Sequence, residues 1–134
     1  MRLLVIDDAP VSRAHFEHVA HAAGHAVVAS VDRFDAAMEY AVEGDYDVAF
    51  LDGRLPGDAP GDACETLAAR VRALCVAVPE RPVVVIAAID EVDLIRAARV
   101  AGAAGALMRP VSRSGLDTLL AMLVEASDER AGAP

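Results

Sequence analysis

The chain alternates between short unbroken apolar runs and longer stretches in which apolar residues recur every three or four positions. Runs at residues 3–7, Ala26–Val31, Val48–Asp52, residues 83–89 and residues 106–108 read as strands. Most are apolar at nearly every position rather than at alternate ones, which is the pattern of strands buried on both faces of a parallel sheet. The segments between them have helical length and period. The first opens at Pro10, suited to a first helical turn, and stops at Gly24. The second covers residues 34–42 with Gly44 beyond it, and the third follows Asp62, a candidate N-cap, to about Val76. The fourth covers residues 91–101 and stops at Gly102; the fifth starts after Ser112 or Ser114 and carries the stripe Leu116, Leu119, Leu120, Leu123 and Val124. Five strand–helix units with short connections predict an α/β domain with a doubly wound parallel sheet. The domain is expected to span residues 1–126. The small, polar residues 127–134 are expected to form a flexible C-terminal tail. Residues 53–61, with three Gly and two Pro, predict a loop directly after the third strand.

Composition narrows the function classes. The 134 residues are 55% hydrophobic but only 4% aromatic, so the core must be aliphatic and rich in Ala. A net charge of -9 argues against nucleic-acid binding by this chain, because phosphate backbones call for basic patches. No apolar stretch has transmembrane length and no signal-peptide pattern opens the chain, so no membrane association and a cytoplasmic location are expected. Cys64 and Cys75 lack a CxxC or zinc spacing and stand eleven apart, on one helix face, which predicts reduced, buried thiols. All twelve basic residues are Arg; there is no Lys.

The chemistry-bearing residues gather at strand ends. Asp7 and Asp8 close the first apolar run and Asp52 closes the third. Open α/β sheets bind ligands beyond the carboxyl ends of their strands, where strand order reverses. If these two strands are neighbours, three carboxylates share one crevice, a costly cluster unless a hard cation such as Mg²⁺ binds there. His15, His18, His21 and His25 lie on or just after the first helix, but no Cys or acidic pair completes a ligand set, so no metal site is expected from them. Arg96 and Arg99 read as a solvated helix face.

With these residues in view, the chain resembles the receiver domain of two-component response regulators across residues 1–126. The resemblance rests on Leu4-Val5-Ile6-Asp7-Asp8, on Leu51-Asp52 followed by Leu55-Pro56-Gly57, and on Ala101-Gly102-Ala103-Ala104-Gly105 before Arg109-Pro110, in that order and spacing. It implies a flavodoxin-like five-stranded parallel sheet in order 2-1-3-4-5 with five helices on both faces, which puts the first and third strands side by side. It implies that Asp52 is a phosphoacceptor and that Asp8, aided by Asp7, holds Mg²⁺ together with Asp52 and the backbone carbonyl of Arg54. It implies a cis peptide bond between Arg109 and Pro110, and a protein that is not an enzyme beyond its own phosphorylation and dephosphorylation. The expected partners are a sensor histidine kinase or phosphotransfer protein and a downstream protein target.

Three positions depart from the family pattern. The Ser or Thr at the end of the fourth strand is Ala87 here, the Lys before the proline is Arg109, and the aromatic residue on the fifth strand is Ala106. A guanidinium keeps the charge of Lys but replaces a compact ammonium by a planar fork. Arg109 is expected to pair with Asp52 or Asp8. For Arg54 two readings stand: a solvated loop residue, or a gate over the phosphorylated carboxylate. The leading reading is a receiver that accepts a phosphoryl group on Asp52 and signals by protein contacts, alone or as a piece of a longer protein. The alternative is a pseudo-receiver acting as a phosphorylation-independent interaction module. A hydrolase with an aspartate nucleophile ranks last, because Arg54 stands where such enzymes usually carry a second Asp.

Overall fold

The structure is a computed structural model that describes residues 1–57 and 62–132. Five strands, β1 (Arg2–Ile6), β2 (Ala26–Val31), β3 (Val48–Asp52), β4 (Val83–Ala87) and β5 (Gly105–Met108), pair in parallel in the order β2-β1-β3-β4-β5. They alternate along the chain with α1 (Pro10–Ala22), α2 (Phe34–Glu43), α3 (Ala63–Ala77), α4 (Val92–Ala101) and α5 (Arg113–Gly132). This is the doubly wound flavodoxin-like fold that the sequence predicts.

The unbroken apolar runs are explained by the two-residue period of a strand, which sends neighbouring side chains to opposite faces. Leu4 and Ile6 of β1, Ala49 and Leu51 of β3, and Val83, Val85 and Ala87 of β4 face α2, α3 and α4. Leu3 and Val5, Val48 and Phe50, and Val84 and Ile86 face α1 and α5. A helix covers each face, so the three central strands have no polar side until they end. The outer strand β2 instead alternates between exposed and half-buried positions, as an edge strand does. On the α1/α5 face, Phe16 packs on Phe50 with ring centroids 4.9 Å apart. That pair accounts for two of the three Phe residues in a core otherwise built from aliphatic side chains.

The helix boundaries follow their capping chemistry. Asp62 accepts a hydrogen bond from the Glu65 amide at 2.8 Å and starts α3. Ser112, rather than Ser114, caps α5: its hydroxyl oxygen accepts from the Gly115 amide at 3.0 Å. Gly102 stops α4 with φ +122°, and a Cβ there would stand 3.1 Å from Cys75 Sγ, so both the backbone angle and the space call for Gly.

Three details differ from the sequence reading. β4 ends at Ala87, not at residue 89, because a turn in which the Glu91 amide donates to the Ala88 carbonyl (3.0 Å) takes the chain out of the sheet. α5 continues through residues 127–132, where a tail was expected; no Gly or Pro stands between Gly115 and Gly132, and once nucleated a helix gains a hydrogen bond with each added residue. Residues 133–134 of that expected tail lie outside the described residues. Cys64 and Cys75 are half-buried rather than buried, packed at the margin of the core, and both are free thiols. Among the described residues, no helix is long and apolar enough to cross a membrane.

The stripe on α5 gives a direct test of this packing. Leu116 is fully buried, whereas Val124, also in the stripe, is 42% exposed. Leu116→Ala should destabilise the fold by about 2–5 kcal/mol in urea denaturation. Val124→Ala should shift it by roughly 0.5 kcal/mol or less.

Candidate functional site at the strand ends

Strand register brings the acidic residues together. Ile6 pairs with Leu51, so the next residues, Asp7 and Asp52, leave neighbouring strands side by side. The Asp7 amide still donates to the Val31 carbonyl (3.0 Å), which holds Asp7 at the edge of the sheet. One carboxylate oxygen from each of Asp7, Asp8 and Asp52 falls within 4.8 Å of the others. Asp7 and Asp52 are buried and Asp8 is exposed. Such a set of hard oxygen donors, one of them open to solvent, fits a small divalent cation that keeps part of its water shell.

Each buried carboxylate has its own donors. Asp7 Oδ1 accepts from the Ala9 amide at 3.0 Å, and the Asp7 carbonyl accepts from the Arg13 guanidinium at 2.9 Å. Asp52 Oδ1 accepts from the Arg54 amide at 3.1 Å. Arg109 lies between the two acids: its Nη2 stands 3.1 Å from Asp52 Oδ1 and 3.4 Å from Asp7 Oδ2, while Nη1 donates to the Ile86 carbonyl. The partners expected for Arg109 were Asp52 or Asp8. Asp7 takes the place of Asp8, because it is Asp7 that turns into the sheet end. The Arg109 amide donates to the Ala87 carbonyl at 2.9 Å, and the Arg109–Pro110 bond is cis, as the family resemblance implies.

Burial pushes the Asp52 carboxyl above the usual carboxylate range. The Arg54 amide and the Arg109 guanidinium oppose this, and the negative charge of Asp7 adds to it. Burying a carboxylate beside a like charge disfavours its ionised form. Asp52 is thus a poorly solvated carboxylate held next to a permanent cation.

The loop after β3 is fastened on its outer side. Leu55 is buried, and Arg70 on α3 donates to the Leu55 and Pro56 carbonyls while its guanidinium lies 5.6 Å from the Phe34 ring centroid. The part of the predicted loop at residues 58–61 lies outside the described residues. The Arg54 side chain reaches across to β4's loop and pairs with Glu91. The other carboxylate oxygen of Glu91 accepts from the Ala88 amide at 2.7 Å. These contacts hold the Glu91 carboxyl below its usual range, the Ala88 amide first and Arg54 after it. The sequence reading did not single out Glu91 beyond the start of a helix. Its carboxylate reaches back to the amide three residues before it, in a turn that precedes the helix and that no Ser or Thr marks in the sequence.

Ala87, fully buried, ends β4 beside Met108 in register, and its methyl group has no hydrogen bond to give. Ala106 is half-buried on β5. The histidines do unrelated work: His15 Nε2 lies 2.9 Å from the Val111 carbonyl, and His25 Nε2 lies 3.5 Å from Asp117.

Comparison with known proteins agrees with this geometry. The family model described as "Response regulator receiver domain" matches residues 3–121. Comparison with curated proteins gave no match. Among solved structures, the signal receiver domain of a modulated diguanylate cyclase from Desulfovibrio desulfuricans G20 superposes with a TM-score of 0.77 at 22% identity, covering 96% of this chain and 97% of that one. A CheY-like response regulator receiver domain protein from Methanospirillum hungatei JF-1 does so with a TM-score of 0.77 at 15% identity, with the same coverages of 96% and 97%. The isolated receiver domain of RcsB from Salmonella enterica serovar Typhimurium, solved with the phosphomimetic BeF3-, gives a TM-score of 0.78 at 18% identity, covering 93% of this chain and 88% of that one. At these identities the structures speak for the fold, and the family model carries the assignment: this chain belongs to the response regulator receiver domain family, the signal-transduction modules of that name.

Proposed function

We propose that this receiver accepts a phosphoryl group on Asp52 from the phosphohistidine of a histidine kinase or phosphotransfer protein and passes the signal on by protein contact. The observation that carries the reading is Asp52 itself: a buried carboxylate within 4.8 Å of two others and 3.1 Å from a guanidinium. In the transfer, a carboxylate oxygen of Asp52 attacks phosphorus, a new O–P bond forms, and the N–P bond breaks. Its electron pair stays on the imidazole, which takes up a proton, and the product is an acyl phosphate. Asp8, Asp7, Asp52 and the backbone carbonyl of Arg54 would hold Mg²⁺, which when bound offsets the charge between the phosphoryl oxygens and the carboxylates. Arg109 favours the ionised form of Asp52 and holds it in place before transfer, and its fork suits a phosphoryl oxygen afterwards. The isolated receiver domain of RcsB, which shares the fold, was solved in the presence of a phosphomimetic, which supports the reading here.

Incubation with acetyl phosphate and Mg²⁺ should add one phosphoryl group to the wild type, seen by intact-protein mass spectrometry, and none to Asp52→Ala or to wild type in EDTA. No label on the wild type would favour the phosphorylation-independent module that Ala87 and Ala106 suggest.

Arg109→Ala should lower the labelling rate roughly ten- to a hundredfold, the loss of one charge-assisted contact. Arg109→Lys together with Ala87→Thr should keep the rate within a few-fold of wild type, since the pair restores the family pattern.

Asp52→Asn should stabilise the metal-free fold, with a sign set by burial. A carboxyl raised in the folded state binds its proton more tightly there than in the unfolded chain. Wild type therefore loses stability as pH rises from the ordinary value of 3.8 through the raised one. Melting temperatures in EDTA should show a gain of Asp52→Asn that grows as pH rises above that ordinary value and disappears below it.

A further inference from the structure

Phosphorylation needs donors at the end of β4, and there this chain has an arrangement of its own. A phosphoryl group on Asp52 presents oxygens toward the sheet end, where Arg109 stands on the β5 side. On the β4 side Ala87 offers only a methyl group. The next donor along the chain is the Ala88 amide, two residues past Ile86, the register partner of Asp52. That amide is taken: it donates to Glu91 Oε1 at 2.7 Å. The one cationic side chain on the loop after β3, among the described residues, is Arg54, and it is paired with Glu91 Oε2. A single carboxylate thus holds both donors and ties the two loops together. Its side chain is only 13% exposed, whereas Asp90 and Asp93 beside it lie in solvent. Glu91 is also the residue on which α4 begins: its carbonyl accepts from the Ile95 amide at 3.2 Å.

We propose that Glu91 is a built-in anion that keeps the site closed: its carboxylate occupies the Ala88 amide and the Arg54 guanidinium, the donors that a phosphoryl group on Asp52 takes over. The proposal rests on Asp52 being the phosphoacceptor. The exchange replaces one anion by another, so no donor is left unsatisfied at the end. The displaced carboxylate has room to move, because a cleft of about 470 Å³ opens beside it, and since Asp62, Asp90 and Asp93 also line that cleft, it moves outward toward water. Because Glu91 is also the N-cap residue of α4, its release frees the turn that leads into that helix to shift. This provides a link from site to surface that needs neither a hydroxyl at Ala87 nor an aromatic ring at Ala106.

Labelling rates with acetyl phosphate and Mg²⁺ for wild type, Glu91→Gln, Glu91→Ala and Arg54→Ala, with Asp52→Ala as the blank, test this. Glu91→Ala should label about tenfold faster than wild type, since the competing charged acceptor is gone. Glu91→Gln keeps a carbonyl oxygen for the Ala88 amide and preserves the turn, and it should fall between the two. It also serves if Glu91→Ala does not fold, as judged by circular dichroism. Arg54→Ala should not exceed Glu91→Ala, because it removes the donor together with the clasp. In the wild type, ¹⁵N spectra should show the Ala88 amide and the first turn of α4 shifting when Mg²⁺ and beryllofluoride are added. Equal rates in wild type and both Glu91 variants would overturn the proposal and leave Asp52 as phosphoacceptor. No label above the Asp52→Ala blank in any variant would overturn that reading and this one with it.

Discussion

The site depends on a charge balance at the end of two adjacent strands. Asp7 and Asp52 are buried side by side because β1 and β3 pair in register, and the sheet that aligns them offers little water to stabilise their charge. Arg109 is what makes this tolerable. One guanidinium faces both carboxylates and anchors itself on the Ile86 carbonyl, so the cation is fixed to the scaffold and not merely attracted to it. Its backbone is fixed as well, through the amide that bonds to Ala87. Removing that cation would leave two buried carboxylates side by side and uncompensated, whereas removing one of the acids relieves their repulsion.

The scaffold can carry this strain because its core is divided in two. One set of strand side chains packs on α2, α3 and α4, the other on α1 and α5. The strands therefore stay rigid to their last residue, and chemistry begins only where the sheet ends. All the side chains of the site come from those ends or from the loops just beyond them. The loop after β3 is held from outside by Arg70 and from inside by the Arg54–Glu91 pair, so both of its flanks report on a neighbouring element.

Much of this was legible in the sequence, for physical reasons. Strands buried on both faces have no alternative to unbroken apolar runs, so β1, β3 and β4 stood out, and acids that end such runs can only lie at the sheet edge. Arg109 was found through its Pro neighbour. What was not legible depended on contacts between loops. Glu91 carries no signal without a Ser or Thr partner, and its pairing with Arg54 joins residues 37 positions apart. Which of Asp7 and Asp8 turns inward is decided by the bond of the Asp7 amide to β2, not by residue type. The end of β4 and the length of α5 are not legible in the sequence, because a backbone turn and helix propagation through polar residues leave no apolar pattern.

The guanidinium between Asp7 and Asp52 has a further consequence, in the alkaline range. A lysine ammonium at that place would lose its proton near its ordinary value of about 10, but an arginine does not deprotonate in proteins. With no Lys in the chain, no side-chain amine is present to be acylated or to form a Schiff base. The positive charge facing Asp52 is therefore permanent: neither alkali nor amine-directed chemistry can switch it off.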